Sequence, residues 1–195
     1  LGAQMTNPRA KVYLEWSTLK EQDIEKRIDE IDPNCISGKD IIVPDDNNHF
    51  YGVYHRESGG GEQKNLAMPL CHWGKFYEEL IRTIMAGNWE QDNDVEKAIN
   101  YWWGMPTGVV DVICSKKLPA GTVRLVNVLK HNYKTGQFHT FTDQMYAQGH
   151  ILKEKKGETL SPEEVIEMDW LAENIIGRIP KIEELQEQAK PVLTQ

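Results

Sequence analysis

The chain has 195 residues, 39% of them hydrophobic and 27% charged, which is enough for one large domain or for part of a larger protein. Thirty Asp and Glu residues against 22 Lys and Arg give a formal charge of −8. A chain this acidic is poorly suited to bind a phosphate backbone, so we predict no nucleic-acid partner. No stretch approaches the roughly 18 apolar residues that a membrane-spanning helix needs.

The residues that usually carry catalysis or metal binding do not form a recognisable pattern. Cys35, Cys71 and Cys114 lie far apart without a CxxC or CxxH pair, and the six histidines are scattered. The motifs GxGxxG, GxxxxGK[ST], GxSxG and HExxH are absent. We therefore predict no catalytic residue, no metal and no cofactor, and we interpret the cysteines as small buried side chains.

Hydrophobic periodicity predicts alternating strands and helices in the first half of the chain. Val12, Leu14 and Trp16 recur at every second position, which is typical of a strand. Ile24, Ile28 and Ile31 recur at helical spacing, and Pro33 ends that helix. The predicted strands are 11–16, 35–43, 50–55 and 65–70, and the predicted helices are 21–31 and 75–86.

The second half continues the same alternation. Strands are predicted around Pro106 and up to Cys114, a helix over 120–132 and a hairpin over 137–152. Ser161, Pro162 and Glu164 form a strong helix start, and we expect this helix to reach about residue 174. Residues 181–190 predict one more short amphipathic helix. Together the elements predict an α/β fold with a mostly parallel sheet flanked by helices, in which ligands bind at the carboxyl ends of the strands.

Aromatic residues cluster at the ends of the predicted strands. Trp16, Tyr54 and Trp73 each lie at or just after such an end, where their faces could sandwich a flat heterocycle. The alternative is that each ring fills the core between sheet and helices. Asp40 is the carboxylate best placed to accept a hydrogen bond from a ligand, and its alternative role is to form a turn.

Nine segments occur in an order that resembles the basic membrane protein (BMP/Med) family, and they run from about Gly2 to Pro180. They are GAQMTNPRAKVYLEWS, ISGKDI, FYGVY, NLAMPLCHWGKFYEEL, GNW, YWWGMPTGVVDV, LPAGTVRLV, GQFHTFTDQ and LSPEEVIEMDWLAENIIGRIP. The resemblance implies one lobe, the C-terminal one, of a periplasmic-binding-protein type I fold. It places this lobe at residues 1–180, followed by a charged tail at 181–195.

Family members are extracytoplasmic substrate-binding lipoproteins of ABC importers, and characterised members bind purine nucleosides between two lobes. The resemblance therefore implies a purine-like solute and an ABC permease as partners, and a membrane anchor as a lipoprotein. It also implies that the N-terminal lobe and the anchor would precede Leu1. We expect the surface left by the absent lobe, including parts of 120–132 and of the helix from Ser161, to favour a homodimer.

The resemblance assigns ligand binding position by position. Trp16 and Trp73 match family aromatic residues, and Asp40 matches the acidic residue of the ISGKD-like turn. Tyr54 stands at the end of the FYGVY strand. Many members carry an acid there to hold the ribose, whereas this chain continues with His55 and Arg56 before Glu57.

Two function classes follow from this comparison. The first is the solute-binding component of an importer, which captures a heterocycle by aromatic stacking and makes or breaks no bond. The alternative is a sensory or regulatory ligand-binding module of the same fold without a transporter. A lipobox and neighbouring permease and ATPase genes would separate the two.

Overall fold

The computed structural model describes residues 1–38, 51–59, 63–87 and 104–193. Helices and strands alternate along these ranges. In chain order they are α1 (Gly2–Thr6), β1 (Val12–Tyr13), α2 (Ile24–Ile31), β2 (Cys35–Ser37), β3 (Val53–His55), β4 (Lys64–Cys71), α3 (Trp73–Met85), β5 (Val110–Cys114), α4 (Ala120–Lys134), β6 (Thr142–Ala147), β7 (Ile151–Thr159), α5 (Pro162–Ile166) and β8 (Ile175–Ile176). Short 3-10 helices lie at Gln148–His150, Ile182–Glu184 and Glu187–Leu193. The predicted α/β class is confirmed.

The chain forms two compact units. The terminal unit combines Leu1–Asp32 with His139–Gln195, and the central unit is the continuous segment Pro33–Phe138. The tail packs into the terminal unit, because Leu185 is buried and bridges Leu19. The boundary between a lobe at 1–180 and a tail at 181–195 stays a prediction.

The direction of strand pairing departs from the prediction of a mostly parallel sheet. β1 and β8 do pair in parallel, but the four-stranded sheet β2-β3-β4-β5 and the hairpin β6-β7 are antiparallel. A parallel pair needs a crossover of roughly a dozen residues or more. The connections 56–63 and 148–150 are too short for that, so these strands turn back on their neighbours.

The long helices agree with the periodicity, whereas the last one is shorter than predicted. α2, α3 and α4 confirm the predicted helices. α5 has the predicted capping box, in which Ser161 and Glu164 bond each other's backbone, but it ends at Ile166. Beyond it the chain pairs with β6 instead: Ala172 bridges Ala147, and the Gln148 N–H donates to Leu171 O at 2.9 Å.

Few of the described hydrophobic side chains are fully buried. The buried ones are Tyr54, Val109, Met145, Ala147, Ala172 and Leu185. Seventeen large hydrophobic residues in the described ranges are exposed, which is unusual for a surface that faces only water. None of the helices in these ranges has the length and apolar character needed to cross a membrane.

A half-buried ion pair attaches α4 to the central sheet. Lys130 Nζ lies 2.7 Å from Asp111 Oδ1 and also donates to Val112 O at 2.8 Å. Asp111 additionally accepts the Val112 N–H at 2.8 Å. The hydrogen bond from Lys130, followed by that from Val112, holds the pKa of the Asp111 carboxyl below its usual range.

We expect Asp111→Asn to lower the free energy of unfolding by about 1–2 kcal/mol, because it leaves Lys130 without its charged partner. Since folding lowers the Asp111 pKa, this stabilisation is complete above the unfolded pKa of about 4 and is lost as pH falls through the lower folded value. Urea unfolding at several pH values measures both effects. Glu78→Gln, which breaks an exposed pair with Arg82, is the control and should lower the free energy of unfolding less than Asp111→Asn does.

Candidate functional site

A cavity of about 200 Å³ lies beside Trp16 in the terminal unit. The end of β1, the start of α2 and the segment after β8 enclose it. Its lining consists of Leu14, Glu15, Trp16, Leu19, Arg27, Gly177, Arg178 and Pro180. Apolar side chains and three charged side chains therefore meet at one place, the composition expected of a pocket for a small polar molecule.

Backbone pairing between β1 and β8 places Trp16 at the cavity. The Leu14 N–H donates to Ile176 O at 2.9 Å, which continues the parallel pair past the end of β1. The Trp16 indole Nε1–H then donates to Arg178 O at 2.8 Å. The indole N–H is thus satisfied by the protein, and the half-buried ring has one fixed orientation beside the cavity.

Gly177 is required where the two segments approach. A Cβ at this position would lie 2.7 Å from Leu14 O and 3.2 Å from Leu14 Cβ. Any side chain here would push the segment after β8 away from β1. The close approach of the two backbones consequently depends on glycine and shapes the cavity wall.

The polar side of the cavity contains a network around Glu15. Arg27 Nη2 lies 3.0 Å from Glu15 Oε1, and Arg27 Nη1 lies 2.7 Å from Glu30 Oε2. The hydrogen bonds that Arg27 donates to these carboxylates, that to Glu30 first, raise the pKa of Arg27. Gln22 Nε2 donates to Glu15 at 2.5 Å, while the buried Gln22 Oε1 has no hydrogen-bond partner among the described residues.

Arg178 forms the rim of the cavity through a second ion pair. Its two guanidinium nitrogens lie 2.6 and 2.5 Å from the two carboxylate oxygens of Glu184. This bidentate contact, together with the Lys181 N–H, lowers the pKa of Glu184 to about 2. The Glu184 carboxylate therefore stays ionised beside Arg178 at neutral and mildly acidic pH.

A larger cavity of about 430 Å³ lies on the other side of the Arg178 segment, within the same unit. It is lined by Ala147, Gln148, Ile151, Lys153, Asp169, Trp170, Leu171, Arg178 and Ile179. Gln148 Nε2 donates to Ile175 O and Gly177 O, both at 2.9 Å, and so ties the floor of this cavity to β8. The predicted helix through residue 174 would not have formed this cavity.

Neither Tyr54 nor Trp73 is among the residues that line the Trp16 cavity. Tyr54 belongs to the central unit, sits in the middle of β3 and is only 7% exposed, and its burial raises the pKa of its hydroxyl. Trp73 begins α3 in the same unit and is 61% exposed, edge-on to Phe76 at 5.9 Å. Asp40 lies outside the described residues. Tyr54 thus has the position of a core residue, while ligand binding by all four residues stays a prediction.

The described residues contain no group of three or more His, Cys, Asp or Glu side chains that could hold a metal ion. Cys35 and Cys71 are exposed and Cys114 is half-buried, all as free thiols. Exposure of Cys35 and Cys71 corrects the interpretation that all three cysteines are buried. Cys35 begins β2, an edge strand of the central sheet, and Cys71 is the last residue of the inner strand β4, so both lie where a strand begins or ends.

No known family model matches the chain. A purine-binding protein of Brucella abortus (strain 2308) is 23% identical over 192 residues. That alignment covers 93% of this chain but 53% of the relative, so the chain spans about half the length of the curated relative that it matches. The name of that relative describes a protein that binds purines.

Sequence reasoning located Trp16 but not the residues that hold it. Arg178, whose carbonyl accepts the indole N–H, is 162 positions further along the chain. The sequence does mark Gly177 as a special backbone position, because it is a single glycine between an apolar pair and a charged residue. Glu15 and Arg27 offered no signal, since a charged pair on a strand and the next helix is common on protein surfaces.

Proposed function

We propose that this protein is a solute-binding protein that takes a purine-like heterocycle against the face of Trp16. The observation that carries the proposal is the alignment of nearly the whole chain with a protein named for purine binding. The order of BMP-like segments and the position of Trp16 at a cavity support it. No bond of the solute is made or broken in this function.

The chemistry of the cavity suits a flat base with polar edges. The Trp16 ring offers a face for stacking, which tolerates any base because every base has a π-face. Among the lining residues, the Glu15 carboxylate offers an acceptor for ring or exocyclic N–H groups, and Arg27 offers donors. In the proposed complex these groups orient the base, while Trp16 supplies most of the apolar contact.

The proposed site forms one wall of a larger ligand-binding site. A volume of about 200 Å³ is below the roughly 300–1,000 Å³ of complete ligand pockets. We propose that a second lobe, present in the longer protein, covers this wall and closes on the solute. Exposed apolar residues on the two-stranded parallel sheet, Tyr13 and Ile176, support this, since parallel sheets are normally covered on both faces.

For the whole protein we propose the role of a receptor of an ABC importer, anchored outside the cytoplasm as a lipoprotein and delivering the solute to a permease. The support is the resemblance of the ordered segments to the BMP family. A cell-fractionation experiment with the full-length protein tests the location. Release of the palmitate-labelled protein from membranes by detergent would support this location. Unlabelled protein in the cytoplasmic fraction would contradict it.

We expect the 195-residue chain to bind adenosine, guanosine or a related purine weakly, with a dissociation constant above about 10 µM. A closed site buries roughly 70–90% of a ligand, and one wall supplies only part of that burial. Isothermal titration calorimetry with a panel of purine nucleosides, and cytidine as a control, measures this. Submicromolar affinity would contradict the one-wall site, and equal affinity for cytidine would contradict purine selectivity.

Chromatography of the ligand after prolonged incubation completes the experiment. A receptor returns the nucleoside unchanged, whereas a nucleoside hydrolase or phosphorylase would release the free base. Recovery of intact nucleoside is the expected result. Time-dependent appearance of free base in proportion to protein concentration would overturn the proposal of a binding protein.

A further inference from the structure

One face of α3 in the central unit carries an uninterrupted stripe of exposed apolar side chains. The α3 stripe consists of Trp73, Tyr77, Ile81, Ile84 and Met85, at positions i, i+4, i+8, i+11 and i+12. Their exposed fractions are 61%, 57%, 55%, 46% and 82%. This spacing places the five side chains on one side of the helix.

The apolar arc of α3 is wider than the part that the central unit covers. Phe76 and Leu80, at the edge of the arc, are half-buried against the unit, as are Glu79 and Thr83. The five stripe residues lie on the other part of the arc. A helix with half of its apolar arc in water exposes a patch that monomeric domains rarely tolerate.

We propose that the α3 stripe is a self-association surface that packs against the α3 stripe of a second copy of this chain. With roughly 200 Å² for each fully exposed large side chain, the stripe offers roughly 600 Å² per copy. An isologous contact buries the same patch twice, so the pair buries roughly 1,200 Å² in total, the lower end of the standard size for specific interfaces.

The distribution of charge on α3 also suits a second copy. The stripe contains no ionisable side chain apart from the tyrosine hydroxyl, which can remain at the rim. Glu78 and Arg82 pair with each other at 2.7 Å on the flank of the helix. Two copies can therefore meet without burying an unpaired charge, with the helices crossing near Ile81.

Sedimentation equilibrium of the 195-residue chain tests the proposal over concentrations from about 1 µM to about 1 mM, which bracket a dimer of this interface size. The expected result is a reversible dimer. Ile81→Glu should weaken dimerisation at least about a hundredfold, because each copy brings one unpaired carboxylate into the contact. Leu125→Glu, on the exposed face of α4 and within the 120–132 surface for which the sequence predicts a homodimer, separates the two surfaces and should leave the equilibrium unchanged.

A mixing experiment separates a direct contact from a loss of structure. Ile81→Glu and Ile81→Lys chains should each be monomeric with unchanged helix content, and their mixture should form a one-to-one heterodimer through the new charge pair. A wild-type chain that stays monomeric at the highest concentration would overturn the proposal. Equal weakening of dimerisation by Ile81→Glu and Leu125→Glu would also overturn it. So would a monomer in which peroxide fails to oxidise Met85, because the α3 stripe would then be covered within one chain.

Discussion

Gly52→Ala is expected to lower the free energy of unfolding of the central unit by about 3 kcal/mol or more. Gly52 precedes β3 with a φ of 62°, a conformation that costs an L-residue roughly 1–2 kcal/mol. A Cβ at this position would also collide with Ala67 O and would lie 2.8 Å from Met68 Cα. Both atoms near the new methyl belong to the β4 backbone, so the sheet would have to open to accept it.

Urea unfolding followed by circular dichroism measures this loss. Gly121→Ala in the first turn of α4 is the matched control, because a Cβ there has nothing within 4 Å and alanine favours the helix. We expect the control to raise the free energy of unfolding by about 0.5–1 kcal/mol. A Gly52→Ala chain as stable as wild type would show that β3 and β4 do not approach each other as the structure has them.

Local patterns predicted the existence of most described elements, because periodicity reports on the face that a segment buries. α2 illustrates this: Ile24, Ile28 and Ile31 mark one face, and Asp23 caps the helix by accepting the Lys26 N–H at 3.1 Å. Helix propensity and capping act between residues that are close in sequence. They are therefore visible without any knowledge of the fold.

Pairing between distant segments decided what the sequence could not predict. Residues 167–174 have a pattern compatible with a helix, yet Glu173 N–H donates to Tyr146 O at 2.9 Å and the segment follows β6. The direction of the central sheet also depends on which strands pair, although the short connection 56–63 was a signal in the sequence for an antiparallel pair. The sequence of residues 161–174 alone does not indicate that this segment pairs with β6.

The sequence likewise predicted only part of the candidate site. The end of β1 identified Trp16 as a residue at the rim of a sheet, and the structure places a cavity there. The carbonyl that orients its ring and the glycine that lets the backbones approach come from the segment after β8. Tyr54 followed the same strand-end argument, but it is the middle residue of β3, lies opposite Ile36 and Asn65 on the two neighbouring strands and is only 7% exposed.

Trp16→Ala is expected to lower the affinity for a purine nucleoside by roughly ten- to a hundredfold, because stacking on a base contributes on the order of 1–3 kcal/mol. The half-buried ring also donates a hydrogen bond to Arg178 O, so we expect a loss of about 1–2 kcal/mol in the free energy of unfolding as well. Titration calorimetry and urea unfolding of the same variant measure the two quantities separately.

Two further variants assign the effect to the ring. Trp16→Phe retains an aromatic face but lacks the N–H, so it should recover most of the affinity while keeping part of the loss in stability. Trp170→Ala removes a half-buried tryptophan from the other cavity of the same unit and should leave purine affinity unchanged. A core tryptophan would behave differently: its truncation would cost about 3–5 kcal/mol of stability with no change in ligand affinity among the folded molecules. That outcome for Trp16→Ala would identify Trp16 as a structural residue and would mean that the purine site lies in another part of the protein.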